Sequence, residues 1–188
     1  MRLLVMAAAV LLSACGQADE ADIRETACAL SATQEIAWTQ AQTPDVITTH
    51  AAGPTCAQAV VTFTARSADG DPLWVFASTY HELTVGGAFP REGAPEISRE
   101  QMESFLTSWA DVTTSRTSAL PEWRADAASL TESAETFAYE TQFDRATYEM
   151  LRARDLAMIC YAAAVEATQC LIIDPASNAP TIMTSYGP

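Results

Sequence analysis

The chain contains no lysine: all ten basic residues are arginines, set against 24 carboxylates and two histidines, His50 and His81. That absence excludes Schiff-base chemistry and a lysine general base. A net charge of −14 repels phosphates, so nucleic acid is not an expected partner. Long apolar runs are missing too. The run from Leu3 to Leu12 spans ten residues, whereas a helix crossing a bilayer core needs roughly 20. Every later run is cut by Arg, Asp, Glu or Pro. No Gly-x-Ser-x-Gly occurs, and Gly86-Gly87 and Gly93 have the wrong spacing for a phosphate loop. His81-Glu82-Leu83-Thr84-Val85 starts like a zinc-protease helix but lacks the second histidine.

The N-terminus supplies the most informative feature. Met1-Arg2, the run Leu3–Leu12 and the small residues Ser13-Ala14 have the layout of a secretory signal. Leu12-Ser13-Ala14-Cys15 resembles the lipobox of bacterial lipoprotein precursors, a Leu, two small residues and a Cys. The resemblance implies cleavage after residue 14, a diacylglyceryl thioether on Cys15 and acylation of the new N-terminus. Several acyl chains anchor far more durably than one, at about 0.8 kcal/mol for each buried CH₂. Gly16 in place of Asp favours sorting to the outer membrane, facing the periplasm. Residues 15–25 are small and acidic without a buried-face pattern and read as a tether. Residues 26–188 then suit one domain.

With Cys15 committed to lipid, Cys28, Cys56, Cys160 and Cys170 remain. An even number in an exported domain points to disulfides, and four cysteines allow three pairings. Cys28–Cys56 with Cys160–Cys170 is preferred, because each pair is close in sequence and the second fits a hairpin. Zinc is disfavoured by the absence of short paired spacings, and no cofactor is expected.

Periodicity along the chain predicts an α+β fold: an antiparallel sheet with one or two helices packed on one face, stapled by disulfides. Residues 26–34 suit a helix or a loop, and Ile36 and Trp38 hint at a short strand. Val46–Thr49, Ala59–Ala65 and Leu73–Tyr80 are β-like, the last two joined by an Asp69-Gly70 turn. His50 and His81 both fall in strand-like surroundings. Residues 86–96 are a Gly/Pro loop. Ser98 and Gln101 form a capping box, with Ile97 and Met102 as the staple, opening an amphipathic helix over 99–112. Residues 113–133 read as a long loop and 137–143 as a strand. Asp144 caps a helix to about 154, and strands are expected over 156–161, 168–173 and 181–184.

One cluster has the composition of a ligand cleft. Trp123, Tyr139, Tyr148, Arg152 and Arg154 gather aromatics and cations in an otherwise acidic region, a mixture suited to an acidic or carbohydrate ligand. The competing account places the aromatics in the core and the arginines beside carboxylates. The expected function is that of a non-enzymatic, lipid-anchored envelope domain that binds an envelope protein or glycan, or helps to maintain the envelope. An envelope hydrolase acting on peptidoglycan or glycans is the enzymatic alternative. An inhibitor that plugs a hydrolase with the 161–169 loop is a third.

Overall fold

The hairpin expected around Asp69-Gly70 forms where its turn chemistry places it. In the computed structural model, β3 (Val60–Arg66) and β4 (Pro72–Thr79) pair antiparallel around Ser67–Asp71. Ser67 closes the turn through bonds from Gly70 N and to Asp71 O, and Gly70 adopts φ +88°, which a side chain resists. The structure describes residues 27–39, 42–87, 96–134 and 137–188. The expected signal over 1–14, Cys15, the tether 15–25 and most of the 86–96 loop lie outside the described residues.

Two more strands precede the hairpin, β1 (Cys28–Ile36) and β2 (Asp45–Gly53), giving one antiparallel sheet in the order β1-β2-β3-β4. The ambiguous 26–34 segment is thus mostly strand. Its small residues carry a weak signal of their own, but β1 pairs with β2 over its full length and packs under a helix. That helix is α2 (Arg99–Ala110), which follows a five-residue helix α1 (Tyr80–Thr84). His81 therefore lies in a helix, not a strand, because the Thr79 hydroxyl caps the chain by accepting from Glu82 N. Ser98 and Gln101 form the capping box of α2, and Met102, Leu106 and Trp109 turn into the core. Buried Thr49 of β2 donates its hydroxyl to Leu106 O at 2.8 Å and fastens α2 to the sheet.

The second half builds another antiparallel sheet, so the α+β class holds with the strands divided in two. Its members are β5 (Thr113–Arg116), β6 (Ala138–Glu140), β7 (Ala157–Ala164), β8 (Ala167–Asp174) and β9 (Ala179–Gly187), in the order β5-β7-β8-β9-β6. Two helices accompany them, α3 (Leu130–Ser133) and α4 (Arg145–Ala153). Strand β5 arises inside the segment expected to be a loop. It is largely exposed on both faces, so no burial alternation marks it in the sequence. The expected 137–143 strand shortens to β6, after which Asp144 caps α4 by accepting from Thr147 N at 2.8 Å.

Strands β7 and β8 are covered on both sides. Ile159, Tyr161 and Leu171 join the core formed by the first sheet and α2. Met158, Cys160, Cys170 and Ile172 point the other way, against Tyr148 and Leu151 of α4 together with Leu120, Leu130 and Met183. This two-sided burial explains the near-continuous apolar runs. Two disulfides complete the fold, Cys28–Cys56 and Cys160–Cys170. The second joins directly opposed residues of β7 and β8. At the first, Gly53 leaves no room for a Cβ, which would stand 2.6 Å from Ala59 Cα, so the Cys56–Gln58 turn lies flush against β2.

Candidate functional site

The five residues singled out for a cleft meet only in part. Trp123 and Tyr148 pack edge to face with centroids 6.0 Å apart, and Tyr148 is fully buried in the second core. Its hydroxyl donates to Pro121 O at 2.8 Å. Arg152 Nε donates to Leu120 O at 2.9 Å and its guanidinium stands 3.5 Å from Glu149. Glu149 also receives Trp123 N at 2.6 Å. These groups bind one another and fix the 120–123 segment onto α4. Burial pushes the Tyr148 hydroxyl far above its usual range, and the Glu149 carboxylate adds to the shift. Tyr139 sits at the edge of the same core, while Arg154 is exposed at the end of α4, where it helps hold Asp174 below the usual carboxylate range after the hydrogen bonds from Ala176 and Ser177.

A cleft does open on the neighbouring face. It lies between the last turn of α2 and strands β5, β7, β8 and β9, with a volume of about 290 Å³. Trp109 and Tyr161 form its floor, and Phe105 and Tyr186 stand at its sides. The Trp109 indole is locked by its bond to Ala162 O at 2.9 Å, and Phe105 stacks on it with centroids 5.5 Å apart. The rim carries Ser108, Thr113 and Thr168, with Asp111 as the one charged lining residue among the described residues. Beyond Tyr186 the aromatic surface continues through Tyr139 and Phe137, at centroid distances of 5.0 and 5.6 Å, and Phe137 is 45% exposed.

None of the five residues singled out from the sequence lines this cleft, and Phe105, Trp109 and Tyr186 were not expected there; Tyr139 comes nearest, beside Tyr186. Helical periodicity marks Phe105 and Trp109 as core, and Tyr186 falls beyond the expected 181–184 strand; all three are half-buried or buried.

No group of His, Cys, Asp and Glu among the described residues has the arrangement of a metal site. No family model, curated protein or solved structure matches this chain. The chemistry of the cleft therefore rests on its geometry: aromatic rings, hydroxyls and a single carboxylate suit an uncharged, hydroxyl-rich ligand better than an anion.

Proposed function

We propose that this chain is a lipid-anchored protein of the bacterial envelope that binds glycan through the Trp109 cleft. The observation that carries the reading is the aromatic cleft itself, a floor of Trp109 and Tyr161 between Phe105 and Tyr186 under a hydroxyl rim. Sugar rings present apolar C–H faces to aromatics and hydroxyls to polar rims, so this combination favours a glycan. The lipobox at Leu12–Cys15 supports attachment to the membrane and, with Gly16, the outer membrane facing the periplasm. A single carboxylate among the described residues that line the cleft favours binding over hydrolysis by a carboxylate pair.

Co-sedimentation of the full chain with purified peptidoglycan sacculi tests the cleft. The protein is expected in the pellet, and Tyr186→Ala is expected to move most of it to the supernatant while preserving its circular dichroism spectrum. A protein that stays in the supernatant, or a folded Tyr186→Ala variant that pellets as before, overturns the reading. Mass spectrometry of the mature N-terminus tests the anchor, and an unmodified Cys15 overturns it.

A further inference from the structure

A neutral sugar answers the rings and hydroxyls of the Trp109 cleft but leaves one feature of it unmatched. Asp111 lines the cleft, is exposed, and forms no ion pair among the described residues. Its carboxylate is within reach of a ligand and has no counter-ion of its own.

The place of Asp111 in the fold deepens that imbalance. It is the C-cap of α2, and a helix C-terminus carries partial negative charge from its last carbonyls. Lys or Arg in the last turn offsets such charge. α2 has no basic residue there, and its one arginine, Arg99, stands at the opposite end, where it donates to Ala27 O at 2.8 Å. Among the described residues no arginine or histidine lines the cleft. A carboxylate and a helix end thus meet at one rim with nothing from the chain to neutralise them.

The rings call for the same sign of charge. Aromatic faces are the negative side of the ring quadrupole and attract cations, and Phe105 and Tyr186 stay partly exposed at the sides of the cleft, where a ligand meets them. Ser108, Thr113 and Thr168 add hydroxyls that accept as well as donate. A primary ammonium brings a positive charge and several N–H donors to these acceptors, whereas an N-acetyl group brings one N–H and no charge. A quaternary ammonium suits the rings but has no N–H for the carboxylate. We infer that the cleft selects glycan in which at least one sugar carries a free amine, with the ammonium at Asp111; this rests on the glycan reading of the same cleft.

The test uses the full chain in a non-ionic detergent and two probes, a glucosamine tetrasaccharide with free amines and the same tetrasaccharide fully N-acetylated. Calorimetric titration at about pH 6, where amines are protonated, is expected to give the free-amine probe roughly tenfold the affinity of the acetylated one. The ratio is expected to fall towards one in Asp111→Asn, and also in the unaltered chain at about pH 9, where the sugar amine has lost its proton. Asp69→Asn removes an exposed carboxylate that does not line the cleft and is expected to keep the ratio. Equal affinity for the two probes overturns the inference, as does a preference that survives in folded Asp111→Asn. An equal fall in Asp69→Asn overturns it too, since the preference would then come from the overall charge of −14. The pH comparison needs no variant, and a ratio unchanged between the two pH values is decisive against the inference even if Asp111→Asn fails to fold. Binding of the acetylated probe without preference for the free amine overturns this inference alone. Binding of neither probe overturns the glycan reading with it.

Discussion

Trp74 of β4 and Tyr161 of β7 join the two sheets by a hydrogen bond, the indole N–H donating to the phenolic oxygen at 3.0 Å across 87 positions of sequence. Tyr161 passes the chain on by donating to Gln169 Oε1 at 2.8 Å, while its ring stacks on Phe63 at 4.6 Å. Tyr161→Phe keeps the stacking ring but strands the Trp74 donor in a partly buried position. The expected loss is about 1–3 kcal/mol, or several degrees of melting temperature. Urea and thermal denaturation of the variant check it, and unchanged midpoints would show that the bond adds nothing.

The same burial sets an alkaline limit. Desolvation pushes Tyr161 up to about 12, although the bond from Trp74 opposes the shift. It also raises Tyr148 and, together with Tyr186, Tyr139. The unfolded hydroxyls ionise near pH 10, before the folded ones do. Their stabilising contribution is complete below about pH 10 and is lost as pH rises through the folded values. Urea midpoints are therefore expected to fall between about pH 9 and about pH 11, and to fall less in Tyr161→Phe. Identical midpoints at the two pH values would contradict the assigned shifts.

The two disulfides differ in the length of chain they close, with sequence separations of 28 for Cys28–Cys56 and 10 for Cys160–Cys170. By loop-closure entropy, removing the first costs about 3.5 kcal/mol and removing the second about 2.8 kcal/mol. Paired Cys→Ala variants with unfolding measured by urea check the order. The reverse ranking would mean that packing around Cys160 and Cys170, buried in the second core, outweighs chain entropy.

Helix α2 carries Trp109 and Phe105 of the cleft, so its start bears on that site. Ser98 Oγ accepts Gln101 N at 3.1 Å, and Gln101 Oε1 accepts Ser98 N at 2.9 Å. Ser98→Ala is expected to destabilise the protein by about 1 kcal/mol, whereas Ser98→Asp retains an acceptor and most of the stability. Hydrogen exchange in the first turn of α2 distinguishes the two, since only the alanine variant should lose protection there.

Elements whose causes are contiguous were legible in the sequence. The Asp69-Gly70 turn, the capping box at Ser98, the Asp144 cap and both disulfide pairings all follow from neighbours or from short loops. The failures have physical reasons as well. β5 is exposed, so nothing in its composition distinguishes it from a loop. β1 is built of small residues and becomes a strand by pairing with β2. His81 joins α1 through a cap supplied by Thr79, in a stretch whose β-branched and aromatic content suggested a strand.

By itself the sequence determined the α+β class and the starts of α2 and α4, favoured the cysteine pairing that the structure has, and raised the expectation of a lipid anchor at Cys15. Each depends on residue type, spacing and local hydrogen bonding. Tertiary structure alone decided that Trp109 would meet Ala162 across 53 positions, that Trp74 would meet Tyr161 across 87, and that Trp38 would be buried with its indole unpaired among the described residues. The Trp109 cleft exists because two separately patterned sheets share one core. How their ends fit together is set by packing between distant segments, which local composition does not encode.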